Sequence, residues 1–182
     1  MRRIVVGVDG SPASKAALGF ALEEARFRQA ELTVVHVYRA THPVEARHSE
    51  GFVMGVDAPV GYGQTQPSPP DETSRRAAMR RREEDYRREQ SKIEAEEGLA
   101  RELIDAMVGE FAITAAVKVT PLAIADAHPA EALVETAADA DLLIVGSRGR
   151  GGFTGLLLGS VSQQCVSHAR CPVVVVPASS KQ

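Results

Sequence analysis

Glycine, hydroxyl and arginine residues are concentrated in one segment, residues 146–160, that could bind phosphate groups. Six of its fifteen residues are glycine, and glycine lets backbone N–H groups approach phosphate oxygens without a Cβ in the way. The hydroxyls of Ser160 and Ser162 can donate hydrogen bonds, and Arg148 and Arg150 can offset negative charge. The segment therefore predicts a site for a phosphate-bearing ligand, while a plain glycine-rich turn stays open as the alternative.

Two standard phosphate motifs are absent from the sequence. No GxxxxGK[ST] occurs, which excludes a P-loop, and the first predicted strand is not followed by GxGxxG, which excludes the usual dinucleotide site. Gly149-Arg150-Gly151 begins a near match to the second motif, but Thr154 stands where its last glycine belongs. A phosphate site here has to be of another kind.

The segment lies between a predicted buried strand, residues 141–145, and a predicted helix from Gly159 to about residue 168. A helix N-terminus offers unpaired N–H groups and a partial positive charge. We therefore expect the Gly159 N–H to point at a phosphate. In open α/β sheets ligands bind beyond the carboxyl ends of the strands, which is where the segment begins.

The rest of the chain alternates between strand and helix patterns. Apolar runs predict strands at 4–8, 32–38, 115–125, 141–145 and 173–176, the third bent or ended near Pro121. Helical spacing predicts helices at 12–27, 72–108, 129–138 and 159–168, the first with Ser11 as N-cap and Pro12 in its first turn. This order predicts an α/β fold with a parallel sheet.

We expect a single domain over residues 1–182, with a Pro/Gly-rich loop and an Arg-rich helical insertion at about 39–90. In residues 75–89 seven arginines face four acids, which favours a solvated helix face over an RNA-binding arm. The net charge of −3 gives no general attraction to nucleic acid or anionic membranes. The five-residue apolar run near the start is too short for a signal peptide, so a cytoplasmic location is expected.

No nucleophile–base pair or metal-ligand spacing stands out in the sequence. His36 and His128 are expected to be structural rather than catalytic, and Cys165 is expected to face the core. The chain is therefore expected to be no enzyme, or at most a slow ATPase.

Gly146, Gly149, Gly159 and Ser160 fill a spacing of Gly, two residues, Gly, nine residues, Gly, then Ser or Thr. This pattern resembles the ATP-binding members of the universal stress protein family. The first strand with its turn, the strand ending His36-Val37, and the closing run from Cys171 to Pro177 are similar as well. The resemblance covers residues 1–38 and 92–178.

The resemblance implies a Rossmann-like, open five-stranded parallel sheet of order 3-2-1-4-5 with helices on both faces, usually in a homodimer. It implies that Asp9 and Val37 contact the adenosine, beside Gly7 and Val8. It places Gly146 and Gly149, with Arg148 between them, at the ribose and phosphates. The phosphates themselves are expected at the helix N-terminus: Gly159, Ser160, Val161 and Ser162.

The function implied is binding of an adenine nucleotide in a stress response or in signalling. ATP is the expected ligand, AMP and cAMP are alternatives, and Mg²⁺ could accompany ATP. A homodimer through Val173–Val176 is expected, with no membrane or nucleic-acid partner. Two other functions stay open: a slow nucleotide hydrolase, and an interaction module whose 39–90 segment is regulated by nucleotide.

Overall fold

The structure is a computed structural model that describes residues 2–39, 72–111, 116–150 and 157–178. The chain divides into two compact units, Met1–Thr41 with Glu94–Gln182, and His42–Ile93. The predicted Pro/Gly-rich loop lies almost wholly outside the described residues, as does the middle of the glycine segment, residues 151–156.

The first unit is built on five parallel strands in the order β3-β2-β1-β4-β5. The strands are β1 (Arg3–Gly7), β2 (Glu31–Tyr38), β3 (Val119–Ala125), β4 (Leu142–Gly146) and β5 (Val173–Val176). The parallel sheet, its five strands and their order confirm the prediction. The order reverses between β1 and β4, so the crevice expected for a ligand lies at their carboxyl ends.

The described residues form four helices: α1 (Pro12–Arg28), α2 (Glu72–Gly109), α3 (Pro129–Thr136) and α4 (Ser160–His168). Helix α1 begins as predicted, because the Ser11 side chain accepts a hydrogen bond from the Ser14 N–H at 3.2 Å and Pro12 occupies the first turn. It ends at Gln29, which is left-handed with φ 52°. None of the helices in the described ranges combines the length and apolar character needed to cross a bilayer.

Two apolar layers cover the sheet, one on each face. On one face Leu18 and Leu22 of α1 pack with Ile104 and Met107 of α2 against alternate residues of the strands. On the other face α3 and α4 pack, with Cys165 fully buried as expected. Helices therefore lie on both faces, and each central strand is buried on both sides, which explains its continuous apolar sequence.

The third strand departs from the prediction. It begins at Val119 rather than 115, because β2 begins at Glu31 and offers no earlier pairing partner. It also runs straight through Pro121. The Lys118 carbonyl accepts from the Leu32 N–H and the Asp126 N–H donates to the Tyr38 carbonyl, both at 3.0 Å. Since peptide groups alternate in direction, position 121 faces the outer edge, where a missing N–H costs no ladder bond.

The second unit is described over residues 72–93, the first part of α2. Its described side chains are almost all exposed, and ion pairs four residues apart join Glu72 to Arg76 and Glu83 to Arg87. These pairs are the ones expected of a solvated helix face. That the Arg-rich stretch is a solvated face rather than an RNA-binding arm stays a prediction.

Candidate functional site

A cavity of about 470 Å³ lies at the carboxyl ends of β1, β2 and β4. All eleven residues predicted for the site line it. The ends of β1 and β2 contribute Gly7, Val8, Asp9 and Val37; the segment after β4 contributes Gly146, Arg148 and Gly149; α4 and its N-cap contribute Gly159, Ser160, Val161 and Ser162. Residues as far apart in sequence as Gly7 and Ser162 therefore meet at one opening, of a size usual for small-molecule sites. That they bind a nucleotide stays a prediction.

Asp9 connects the two loops that border the cavity. Its Oδ1 accepts from the Ser11 N–H at 3.0 Å. Its Oδ2 accepts from the N–H of Arg150, in the segment after β4, at 3.1 Å. Burial by itself raises the pKa of Asp9, but hydrogen bonds from Ser11, Ser14 and the Arg150 peptide outweigh it and hold the pKa below its ordinary value. Asp9 is therefore an ionised carboxylate that joins the two loops through hydrogen bonds.

Two of the predicted glycines have a reason in the packing of the protein itself. A Cβ at Gly146 would lie 2.8 Å from the backbone of Ala13 and Ser14, so only glycine lets α1 approach β4 this closely. A Cβ at Gly149 would lie 2.5 Å from Oδ2 of Asp9. Gly146 is needed without a ligand, and a side chain at Gly149 would displace the Asp9 carboxylate. The presence of these two glycines therefore does not by itself indicate phosphate contact.

Gly159 differs from the other two. A Cβ added there would meet only ordinary contacts of 3.5–3.8 Å, and its φ of −80° suits any residue. Nothing in the described protein requires glycine at this position. The room above Gly159 belongs to the cavity.

The N-terminus of α4 is fastened by the Ser147 carbonyl. This oxygen accepts from the Gly159 N–H at 2.7 Å and from the Ser162 hydroxyl at 3.0 Å. The expectation that the Gly159 N–H points at a phosphate is therefore wrong in this structure, because that N–H already has a partner. The Ser162 hydroxyl also lies 3.0 Å from the Gly159 carbonyl and is buried, so its proton is engaged within the protein.

Other donors of α4 remain directed at the cavity. The first N–H groups of any helix lack intrahelical partners, and here they belong to Ser160, Val161 and Ser162. The Ser160 hydroxyl is exposed and has no hydrogen-bond partner among the described residues. These groups line the end of the cavity that is suited to bind an anion.

The opposite end of the cavity is formed where the β1–β2 ladder stops. The Val8 N–H donates to the Val35 carbonyl at 2.8 Å. Continuing that parallel pattern would bond the Val37 N–H to the Val8 carbonyl and the Gly10 N–H to the Val37 carbonyl. Neither bond is present; the chain turns away at Gly10, with φ +79°. The N–H and C=O of Val37 are thus left side by side, toward the cavity.

Two guanidinium groups border the anion-binding end. Arg148 and Arg150 both line the cavity, and neither is paired with a carboxylate in the described parts of the chain. The Arg150 side chain lies against the β1 turn, with Nη2 2.5 Å from where a Cβ of Gly10 would stand. These unpaired cations favour an anionic ligand.

Six further residues line the cavity that were not assigned to the site from the sequence: Ser14, Val35, Pro129, Leu133, Val145 and Arg150. Arg150 was considered as a phosphate neighbour from its place in the glycine segment. Leu133 of α3 packs on Gly7, with Cδ1 2.9 Å from where a Cβ would lie. Nothing in the local sequence of α3 indicates this contact, which depends on how the helix crosses the sheet.

The residues considered for other chemistry lie outside the cavity. The Nδ1 of His36 lies 2.8 Å from the Val8 carbonyl, and His128 lies 3.6 Å from the carboxylate of Asp126. Burial raises the pKa of the Cys165 thiol to about 11. Within the described residues no group of three or more His, Cys, Asp or Glu side chains is placed to hold a metal ion.

Comparison with known proteins now assigns the chain to a family. The model of the universal stress protein family matches residues 1–54 and 57–177. The chain belongs to the universal stress protein family. A universal stress protein of Mycobacterium tuberculosis is 32% identical over 176 residues, which are 97% of this chain and 45% of that protein. The chain thus spans about half the length of the curated relatives it matches.

Solved structures share the fold of this universal stress protein. One is a universal stress protein in complex with cAMP, 24% identical, covering 98% of each chain with a TM-score of 0.51. Another is a universal stress protein family protein of Arabidopsis thaliana with AMP bound, 18% identical, covering 100% of this chain and 95% of that one, with a TM-score of 0.51. At these identities the likeness concerns the fold alone.

Proposed function

We propose that the cavity binds an adenine nucleotide, with ATP as the ligand, and that the protein acts in a stress response or in signalling. One observation carries the proposal. A single cavity has an unpaired peptide edge at Val37 at one end and helix N–H groups with two guanidinium groups at the other. A ligand with a heteroaromatic base at one end and phosphate at the other satisfies both.

The base end is suited to adenine in particular. The adenine ring presents an acceptor at N1 next to a donor at N6, and the Val37 peptide presents a donor and an acceptor in the complementary order. Val35 and Val145 add apolar surface along the same wall. A polar edge set in an apolar slot is the usual composition of a small-molecule site.

The phosphate end favours more than one phosphate. The N–H groups at the start of α4 and the Ser160 hydroxyl can hold one phosphate group. Arg148 and Arg150 stand further along the same border with no carboxylate partner in the described residues. Two unpaired cations exceed what a single phosphate of AMP or cAMP requires, which supports ATP.

The residues present do not build a cage for a divalent cation. Asp9 is the one carboxylate among the described residues that line the cavity, and both its oxygens accept backbone hydrogen bonds. Mg²⁺ prefers carboxylates together with phosphate oxygens and retained waters. A Mg²⁺ ion would therefore be carried by the phosphates of ATP rather than by carboxylates of the protein.

The relatives support an adenine nucleotide as the ligand. A universal stress protein has been solved with cAMP, and a family protein of Arabidopsis thaliana has been solved with AMP. Both ligands combine adenine with a phosphate. In this chain the same combination fits the two ends of the cavity.

The proposed test is an equilibrium titration with ATP, AMP, cAMP, GTP and adenosine by calorimetry. We expect binding of ATP in the micromolar range, of order −8 kcal/mol, with GTP and adenosine weaker. No binding of any of these ligands at millimolar concentration would end the proposal. Equal affinity for ATP and GTP would retain a nucleotide site and remove the role given to the Val37 peptide.

We also propose a homodimer in which the β5 strands meet. Strand β5 pairs with β4, and the carbonyls of Pro172 and Val176 accept from β4. By alternation the peptide groups of Val173 and Val175 face the outer edge of the sheet, where a second copy can pair.

Val175→Pro removes one N–H from the outer edge and leaves the hydrogen bonds between β4 and β5 in place. We therefore expect a smaller dimer fraction in light scattering, with the fold unchanged. Val174 and Val176 are partly buried against one apolar layer and Val175 against the other, so thermal melts must verify that Val175→Pro is folded. A monomeric wild-type chain would contradict the dimer.

A further inference from the structure

We infer that His36 is a positioning residue that keeps the adenine-reading edge of the cavity open. The inference rests on the proposed function, since it concerns the same base end. His36 lies on β2 between Val35 and Val37, and it does not line the cavity. It acts through the Val8 carbonyl, which its imidazole contacts at 2.8 Å.

The contact fixes the tautomer of His36. A carbonyl oxygen can only accept, so Nδ1 must carry the proton and donate to Val8. The other ring nitrogen, Nε2, takes no part in this contact. The side chain of His36 points to the face of the sheet opposite to Val35 and Val37, because side chains alternate along a strand. It reaches the Val8 carbonyl from outside the cavity.

The Val8 carbonyl is the natural partner of the Val37 N–H. The registered pair Gly7 and Val35, with the Val8 N–H bonded to the Val35 carbonyl, sets the parallel pattern. The next bond in that pattern joins the Val37 N–H to Val8. In the structure the imidazole of His36 holds this carbonyl instead.

Two consequences follow for the end of the ladder. First, the Val8 carbonyl is satisfied by a side chain, so it is not left as an orphan when the strands part. Second, the Val37 N–H is left without its ladder partner and becomes available to a ligand. Leaving the Val37 N–H without a protein partner costs little free energy, because water in the cavity can accept its hydrogen bond until a base replaces that water.

This arrangement explains why a base can be read by the backbone at all. In an uninterrupted ladder the N–H and C=O of Val37 would be hydrogen-bonded to an extended β1. The base end of the cavity would then present only side chains. His36 replaces one backbone donor with a side-chain donor, so the strands remain joined while the Val37 edge is free.

The test compares His36→Leu, which removes the donor, with His36→Asn. In Asn the amide nitrogen stands at the same distance from Cβ as Nδ1 does in His, so it can restore the bond. His168→Leu, at the exposed end of α4, is the matched control for loss of a histidine. Thermal melts verify that each variant is folded.

The first readout is amide hydrogen exchange of Val37, followed by NMR without nucleotide. In the wild type we expect the Val37 amide to exchange much faster than that of Val35, and to slow on saturation with AMP. In His36→Leu the ladder can close onto Val8, so Val37 should be protected without nucleotide. In His36→Asn and His168→Leu its exchange should match the wild type.

The second readout is the ratio of affinities for AMP and IMP, which carry the same ribose and phosphate. IMP reverses the donor and acceptor at positions 1 and 6 of the ring, so an open Val37 edge discriminates against it. We expect His36→Leu to reduce the AMP preference by about tenfold, the worth of one or two neutral hydrogen bonds. His36→Asn should restore it.

Protection of the Val37 amide in the nucleotide-free wild type would overturn the inference. So would a His36→Leu variant whose exchange and AMP preference both equal those of the wild type. A wild-type protein that binds no nucleotide would instead defeat the proposed function. The nucleotide-free exchange of the three variants would still decide whether His36 holds the strands apart.

Discussion

In the proposed complex with ATP, the two ends of the cavity would recognise the ligand by different means. At the phosphate end the groups aimed at the ligand include side chains and a helix terminus, from Arg148 to Ser162, within one continuous segment of sequence. At the base end the recognising group is the peptide of Val37, freed by the way β1 turns away from β2. In this proposal phosphate would be bound by side chains and a helix N-terminus, and adenine by a peptide group that has no partner in the strand ladder.

The largest effect is expected at the phosphate end, from Gly159→Val. The protein has room for a Cβ at this position, so the fold should survive while the added side chain occupies space needed by the phosphate. We expect at least a hundredfold loss of ATP affinity, about 2.7 kcal/mol or more, by calorimetry.

Gly98→Ala is the matched control for Gly159→Val, because a Cβ at Gly98 meets no atom within 4 Å. By contrast, Gly146→Ala should cost about 1–3 kcal/mol of stability, since its Cβ would press on the backbone of α1. Unchanged ATP binding in Gly159→Val would show that the room above this residue is not used by the ligand.

A smaller effect at the same end is expected from Ser160→Ala. Its hydroxyl has no hydrogen-bond partner in the described protein, so removing it disturbs no internal bond. A hydrogen bond to a charged group is worth about 1.5–3 kcal/mol, which predicts a loss of roughly tenfold or more for ATP. Adenosine lacks the phosphate and should bind nearly as before.

Ser167→Ala, on the exposed side of α4 where the hydroxyl bonds the Gln163 carbonyl, serves as the control for Ser160→Ala. An equal loss for ATP and adenosine would mean that Ser160 does not contact phosphate, and the contrast between the two ends would lose its clearest marker.

The same contrast determines what could be predicted from sequence. The phosphate end was predictable because glycines, serines and arginines are crowded into residues 146–160, and side-chain chemistry is visible in sequence. Its hydrogen bonds were not predictable. The Ser147 carbonyl accepts from the Gly159 N–H and the Ser162 hydroxyl, and the residue types do not indicate which backbone oxygen accepts these bonds.

The base end was predictable only through the family resemblance. A valine at the end of a strand has no side-chain signal for binding, and the unpaired peptide of Val37 depends on the register of β1 and β2. The fold was easier to predict, because each buried strand is a continuous apolar run. Strand β3 was placed less well, since an edge strand tolerates Pro121 and its start depends on its partner β2.

Arg150→Gln should give a few-fold loss of ATP affinity and a still smaller one for AMP. Its guanidinium borders the cavity without a carboxylate partner in the described residues, and an exposed charge interaction is worth about 1 kcal/mol or less. Salt screens such interactions, so the difference between wild type and variant should shrink as salt is raised. A difference that does not depend on salt would indicate that Arg150 acts through packing on the Gly10 turn.

The last prediction concerns stability: Asp9→Asn tests the hydrogen bonds by which Asp9 joins the two ends of the cavity. The carboxylate accepts from the Ser11 peptide at the base end and the Arg150 peptide at the phosphate end, and Asn keeps only one acceptor oxygen. We expect a loss of about 1 kcal/mol of stability, below the usual value for a charged hydrogen bond because Asp9 is partly exposed.

The pH dependence of Asp9 identifies the carboxylate as the cause. Its pKa is lowered in the folded protein, so its contribution is fully present above the unfolded pKa of about 3.9 and is lost as pH falls through the folded pKa. In urea unfolding, the free energy of unfolding of the wild type should therefore exceed that of Asp9→Asn from neutral pH down to about 4. The two values should converge at lower pH. A gap that persists unchanged in acid would mean that Asp9 acts through its shape, and the two ends would then be held together by packing alone.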